Sequence, residues 1–160
     1  MEIFDPPYSY KEGSARLIRL IAFDRIGRIL AVQKEDCIDI IRGRQEFDDD
    51  THEDAVRREA KEQANISLGE VSLAAKIRLP EWINTKPIYE LVFAALVDEI
   101  GLCPNGRGYD RFFIGKQAFL KKCQSSTEEM KTLVHMAEAC CSPCFIYQKT
   151  IPENRQLAFR

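Results

Sequence analysis

The chain has 160 residues and a mass of 18.4 kDa, which is enough for one domain with a substantial core. Its composition, 45% hydrophobic and 30% charged, is that of a globular protein rather than a disordered or fibrous one. The net charge of −2 and the pI near 5.8 argue against bulk electrostatic binding of nucleic acid, but they leave room for a small anionic ligand at one local site.

The first 14 residues have neither the basic start nor the apolar stretch of a signal peptide, and we interpret residues 1–14 as an N-terminal arm. The longest apolar run, LVFAALV at residues 91–97, is much shorter than the roughly 20 residues of a membrane helix. We therefore expect a cytoplasmic protein that has no membrane partner.

Two apolar runs flank the turn at residues 24–27 in the stretch RLIRLIAFDRIGRILAVQK, which begins at residue 16. This pattern predicts a β-hairpin in which Gly27 supplies a residue with positive φ. A third apolar run, CIDII at residues 37–41, predicts another strand. The polar loop QEFDDD, at residues 45–50, follows it.

A helix is predicted to begin after Thr51, which is a typical N-cap residue. Asp54 stands three residues later, where it makes an imperfect capping box with Thr51. The helix should run to about Ala64. Asn65 is predicted to end it in the left-handed conformation, which asparagine tolerates best after glycine.

The second half of the chain has the pattern of strands followed by helices. The predicted strands are residues 71–79, 88–100 and 110–115, and the predicted helices are residues 116–124 and 126–141. The stretch from about residue 143 to residue 160 has no clear pattern, and we interpret it as a C-terminal tail. Strands on both sides of one central helix, with more helix at the end, predict an α/β (α+β) fold in which a mixed β-sheet is sandwiched between helices.

Three of the six cysteines lie close together in the motif CCSPC at residues 140–144. A structural zinc site usually needs four ligands in two separated pairs, and only one C-x-x-C pair is present. We interpret the cysteines as reduced thiols that are partly packed in the core.

Glu59, Glu62 and Gln63 share one face of the predicted central helix, because residues three or four apart are neighbours on a helix. Stacked carboxylates repel each other, and Mg²⁺ relieves this repulsion while taking its other ligands from water and phosphate. An ordinary solvated helix is the alternative, because Arg58 lies four residues from both Asp54 and Glu62.

The order of hairpin, third strand, acidic loop and helix resembles the Nudix hydrolase family. The box of that family is written G-x5-E-x7-R-E-U-x-E-E-x-G-U, where U is a bulky apolar residue. Residues 58–66, REAKEQANI, match its second half in a degenerate form. The resemblance extends from about residue 15 to about residue 122, and it implies a single Nudix-like domain over residues 1–160.

The first half of the box fits this chain in two registers. Regular spacing places Arg44 at the box glycine and Asp50 at the box glutamate. One extra loop residue would instead place Gly43 at the glycine, with either Asp49 or Asp50 at the glutamate. The sequence leaves both registers open.

The resemblance implies roles for particular residues. It assigns catalysis to Arg58, Glu59 and Glu62; metal binding to Glu59, Glu62, Gln63 and Asp50; and substrate binding to Arg42, Arg44, Glu46 and Trp82. The implied cofactor is Mg²⁺, with Mn²⁺ as an alternative. The main departure is Gln63, because the amide of glutamine brings no charge to a site where the family has a glutamate.

The implied reaction is metal-assisted hydrolysis of the pyrophosphate bond in a nucleoside diphosphate linked to another group. The retention of Arg58, Glu59 and Glu62 favours this activity. A catalytically impaired domain that binds a nucleotide-like ligand as a regulator is the alternative, and a purely structural or interaction module is a third. Homodimers are common among Nudix proteins, so the resemblance is compatible with a homodimer.

Overall fold

A mixed β-sheet forms the centre of the computed structural model, which describes residues 2–4, 15–79, 88–103, 110–123 and 127–145. Within these residues the strands are β1 Glu2–Phe4, β2 Ala15–Phe23, β3 Ile29–Lys34, β4 Cys37–Asp39, β5 Ile41–Gly43, β6 Ile66–Leu79, β7 Ile88–Ile100 and β8 Asp110–Ile114. The helices are α1 His52–Ala64, α2 Lys116–Lys122 and α3 Thr127–Cys141, and a 3₁₀ turn follows at Ser142–Cys144. None of these helices, within the described part of the chain, is long and apolar enough to span a membrane.

The strand order is β1-β6-β7-β2-β3-β4, with β5 paired to β2 and β8 paired to β3. The long strands β2 and β7 run parallel, whereas β6 and β7 run antiparallel, so the sheet is mixed. β5 therefore lies directly beside β2, near the centre of the sheet.

Both faces of the sheet are covered, because successive residues of a strand point to opposite sides. One buried cluster joins the sheet to α2 and α3 and includes Ile21, Phe23, Phe119, Met130 and Leu133. The other joins the sheet to α1 and includes Leu20, Leu30, Val56, Ala60 and Phe93. The predicted mixed sheet sandwiched between helices is confirmed.

The ends of α1 follow the local signals in the sequence. The Thr51 hydroxyl accepts a hydrogen bond from the Asp54 N–H at 3.1 Å, and the Asp54 carboxylate accepts one from the Thr51 N–H at 3.0 Å. The capping box is thus complete, although an aspartate replaces the usual glutamate. Asn65 ends the helix with φ 47°, and Gly27 has φ 85° in the hairpin turn, as predicted.

Strand β6 differs from its predicted form. β6 begins at Ile66, directly after α1, rather than at residue 71, and its pairing with β7 shifts register between Leu68 and Val71. Arg57 of α1 donates hydrogen bonds to the carbonyls of Leu68 and Gly69 at 2.8 and 2.9 Å, which gives these irregular backbone groups a partner.

The predicted strand at residues 37–41 is divided at Ile40 because the chain changes its partner there. Asp39 of β4 pairs with Val32 of β3, whereas Ile41 of β5 pairs with Leu20 of β2. This change of partner directs β5 and the loop after it towards α1, and the two elements contact each other.

The two terminal segments contribute to the described structure. Within the N-terminal arm, β1 pairs antiparallel with β6. At the start of the C-terminal tail, Phe145 is buried against Phe23, with ring centroids 5.4 Å apart. The tail beyond residue 145 lies outside the described residues.

The cysteines of the CCSPC motif are free thiols. Burial raises the pKa of Cys140, and burial together with the two neighbouring cysteines raises the pKa of Cys141 to about 12. Burial therefore favours the protonated form of both thiols, which is a poor nucleophile.

Candidate functional site

Arg58 of α1 holds the loop that precedes the helix. Its Nε lies 3.0 and 3.1 Å from the two carboxylate oxygens of Asp49, and its Nη2 lies 2.8 Å from Oδ2 of the same residue. Nη2 also donates to the backbone carbonyl of Arg44 at 2.7 Å. The Arg58 hydrogen bond holds the pKa of the buried Asp49 carboxyl below its usual range, and Asp49 in turn raises the pKa of Arg58.

These contacts distinguish the two registers that the sequence leaves open. Asp49 is the partner of Arg58, whereas Asp50 is exposed on the loop. A Cβ at position 43 would overlap the carboxyl group of Glu59, so this carboxylate can occupy its observed place only because residue 43 is glycine. The structure therefore favours the register with one extra loop residue, in which Gly43 and Asp49 occupy the box positions instead of Arg44 and Asp50.

Both carboxylate oxygens of Glu59 accept hydrogen bonds from this chain. Oε1 accepts from Arg58 Nη1 at 3.0 Å, and Oε2 accepts from the Gln63 side-chain amide at 2.7 Å. The same amide nitrogen donates to the backbone carbonyl of Arg42 at 2.6 Å. Because both of its partners are acceptors, Gln63 must present its NH₂ group to them and not its oxygen.

Two further carboxylates lie at the edge of this cluster. Glu62 approaches Arg58 Nη1 at 3.4 Å, and Glu46 approaches it at 3.5 Å. Both are largely exposed, with 58% and 64% of their side-chain surface accessible. Together with Asp49 and Glu59, they surround the single guanidinium of Arg58 with four carboxylates, so the site has an excess of negative charge.

The residues present do not fit a magnesium centre. Mg²⁺ needs oxygen ligands at about 2.0–2.1 Å in nearly octahedral geometry. Glu59 already accepts from two donors, and Gln63 directs its NH₂ group rather than its carbonyl into the cluster. Among the residues that the structure describes, no three histidine, cysteine, aspartate or glutamate side chains are arranged to hold a metal. Of the predicted ligands, Glu59 and Gln63 bind each other, Glu62 lies at the exposed edge of the same cluster, and Asp50 is exposed on the loop.

The predicted substrate-binding residues lie in different surroundings. The guanidinium of Arg42 forms an ion pair with Asp39 at 2.9 Å. Arg44 and Glu46 are exposed on the loop between β5 and α1. Trp82 lies outside the described residues.

Asp39 is a buried acidic residue beside Arg42 that sequence reasoning did not single out. Its side chain is only 7% exposed, and it accepts hydrogen bonds from the Ile40 N–H at 2.8 Å and from Arg42. The signal was an acidic residue inside the apolar run CIDII, because a charge is rarely buried without a partner. Asp39 thus holds the guanidinium of Arg42, the middle residue of β5.

We expect Gly43→Ala to lower the free energy of unfolding by about 1–3 kcal/mol, because the added methyl group must displace the Glu59 carboxylate from Arg58 and Gln63. Urea denaturation measures this change. Gly115→Ala is the steric control, since a Cβ there meets no atom within 4 Å. Gly115 is the N-cap of α2, so this substitution should cost only the poorer capping by alanine, less than about 1 kcal/mol. Equal effects of the two substitutions would contradict the close approach of β5 and α1.

Comparisons with known proteins give a consistent fold. No family model and no curated protein matches the sequence. The NUDIX domain of Shewanella oneidensis NrtR complexed with ADP ribose matches with TM-score 0.61 and 12% identity over 81% of this chain and 89% of that chain. The Bacillus subtilis pyrophosphohydrolase BsRppH matches with TM-score 0.64 and 12% identity over 87% and 90%. A C. elegans Ap4A hydrolase matches with TM-score 0.56 and 17% identity over 79% and 97%. At such low identity, this similarity establishes the fold and not an activity.

Proposed function

Because the chain has the Nudix fold, we propose that it binds a nucleotide-derived ligand and does not cleave it by metal-assisted hydrolysis at α1. The observation that carries this proposal is the state of Glu59, whose two oxygens both accept hydrogen bonds from the chain itself. We therefore favour a domain that binds a nucleotide-like ligand as a regulator over the hydrolase that the sequence resemblance implies. The class of ligand is supported by the Shewanella NrtR domain, which was solved with ADP ribose.

Metal-assisted hydrolysis would have to compete with bonds that already exist. A metal ion neutralises the pyrophosphate and lowers the pKa of the attacking water, and it must first be held by carboxylates that can turn towards it. Turning Glu59 away would leave the amide of Gln63 and the guanidinium of Arg58 each with one acceptor fewer. Both groups keep another acceptor, so the cost is that of two lost hydrogen bonds to a charged group, about 1.5–3 kcal/mol each.

The phosphates of the ligand are expected beside Arg44 rather than over α1. Without a metal, the carboxylates of Glu46, Glu59 and Glu62 repel a pyrophosphate. Arg44 is exposed, and its backbone is fixed by the hydrogen bond from Arg58 to its carbonyl. The free-standing position of this exposed arginine on a fixed backbone suits phosphate recognition, since its planar guanidinium can donate two parallel hydrogen bonds.

Calorimetric titration and a turnover assay test the proposal together. The purified full chain should be titrated with ADP-ribose, a dinucleoside polyphosphate, a nucleotide sugar and an oxidised nucleoside triphosphate, first in EDTA and then with Mg²⁺ or Mn²⁺. We expect binding of at least one of these compounds in EDTA and no cleavage of any of them with either metal. Arg44→Ala should weaken binding about tenfold or more, since a hydrogen bond to a charged group contributes about 1.5–3 kcal/mol.

The control is Arg25→Ala, which removes an exposed arginine from the β2–β3 turn and should leave the affinity unchanged. Metal-dependent turnover that Glu59→Gln abolishes would overturn the proposal and restore the hydrolase. If none of the four compounds binds, the ligand-binding function is wrong, and the interaction module is left.

A further inference from the structure

We infer that the side-chain amide of Gln63 occupies the place of a cation between α1 and β5, so that the wild-type domain joins these two elements without a metal. The inference rests on the proposed function and deepens it, because it explains why α1 would hold no catalytic metal. It concerns the contact between α1 and β5 and not the binding of a ligand, so it can be tested without any nucleotide.

The amide nitrogen of Gln63 lies between two oxygen atoms, as a small cation would. The amide nitrogen lies 2.6 Å from the backbone carbonyl oxygen of Arg42 and 2.7 Å from Oε2 of Glu59. One oxygen belongs to β5 and the other to α1, the two elements that the loop at residues 44–51 connects. Backbone carbonyl and carboxylate oxygens are the ligands that hard divalent cations prefer.

The surroundings allow these oxygens to meet at one point. Gly43 has no side chain where a Cβ would overlap the carboxyl group of Glu59, so this carboxylate can lie directly against β5. The side chain of Glu59 is only 13% exposed, and the cluster shields it from water. The two N–H groups of the Gln63 amide then supply the positive charge density that water or an ion would otherwise provide.

Replacing the amide by a carboxylate reverses this balance. In Gln63→Glu, the donor nitrogen becomes an oxygen, and three oxygen ligands converge with no donor between them. Two carboxylates at such a distance repel each other and require a proton or a cation. We therefore expect the variant to be destabilised in EDTA and to be stabilised by Mg²⁺ or Mn²⁺.

The experiment is thermal unfolding of the full chain, without nucleotide, in EDTA and in millimolar Mg²⁺ or Mn²⁺. The Tm of the wild type should be the same in all three buffers. The Tm of Gln63→Glu should be lower than that of the wild type in EDTA, and it should rise by roughly 5–10 °C at a metal concentration about 100 times Kd. Gln117→Glu on α2 is the matched control for the change of charge, and its Tm should not respond to metal.

A second variant keeps the inference testable if Gln63→Glu does not fold. Gln63→Met has a side chain of similar length that cannot donate, so its Tm should fall below that of the wild type in EDTA and should not respond to metal. A Met variant as stable as the wild type would show that the amide does not join α1 to β5. Direct titration with Mn²⁺, followed by the EPR signal of the free ion, should detect no binding to the wild type.

Two results would overturn the inference directly. One is a rise in the wild-type Tm with metal equal to that of Gln63→Glu, and the other is a Gln63→Glu variant that is as stable as the wild type and indifferent to metal. Neither result depends on nucleotide affinity, which is measured separately in EDTA. Failure of this inference and failure of ligand binding can therefore be told apart.

Discussion

Replacing Arg58 by alanine should lower the free energy of unfolding by about 3–5 kcal/mol, because it leaves the buried carboxylate of Asp49 without its counter-ion. The substitution removes three short contacts to Asp49 at once, and it also removes the donor to the carbonyl of Arg44. The loop from residue 44 to residue 50 then loses the side chain that holds it to α1.

Urea denaturation of the single variants Arg58→Ala and Asp49→Asn, together with the double variant, measures this coupling. The double variant should lose less stability than the sum of the two single variants, since each single change leaves one partner uncompensated. Arg44→Ala is the control, because its side chain is exposed while its backbone carbonyl is kept, and it should change stability by less than about 0.5 kcal/mol. A loss of less than about 1 kcal/mol in Arg58→Ala would contradict the importance of this ion pair.

Phe119→Ala should also lower the free energy of unfolding by about 3–5 kcal/mol, because it opens a cavity between α2 and the sheet. Phe119 is the fully buried residue of α2, and it lies in the cluster that joins this short helix to Met130 and Leu133 of α3. With only seven residues, α2 is too short to be stable by itself, so its packing must hold it in place.

The loop provides a matched control for this prediction. Phe47 has the same side chain as Phe119, but it is fully exposed on the loop before α1. Phe47→Ala should leave the midpoint of urea denaturation unchanged, whereas Phe119→Ala should lower it clearly. Similar midpoints for the two variants would mean that α2 does not pack on the sheet as described.

The features that the sequence predicts correctly are those set by neighbouring residues. Thr51 and Asp54 form the capping box within one turn of helix, and the end of α1 depends on the tolerance of Asn65 for positive φ. The hairpin turn likewise needs only Gly27. The start of β6 was missed because Gly69 interrupts the apolar pattern. The carbonyls of Leu68 and Gly69, left over by the irregular pairing, accept from Arg57, which lies eleven and twelve residues earlier in the chain.

The chemistry of the site depends on contacts that no local pattern encodes. The choice between Asp49 and Asp50 is made by the path of the loop, and the role of Gln63 depends on a carbonyl 21 residues earlier in the chain. In the sequence, the match of Arg58 and Glu59 to the box of the Nudix family favours catalysis. The structure also gives both residues a part in holding the fold. Arg58 holds the loop, and Glu59 accepts from the Gln63 amide, which also binds the Arg42 carbonyl of β5. A residue kept for such bonds looks the same in a sequence as one kept for a reaction.

The attachment of α1 to two separate strands restricts its freedom of movement. Arg57 binds the carbonyls of β6, while Gln63 binds a carbonyl of β5, and these strands are separated in the sheet by β7 and β2. A helix tethered on both flanks cannot roll about its long axis unless one tether breaks. We therefore expect the loops around α1 to change conformation more readily than the helix itself.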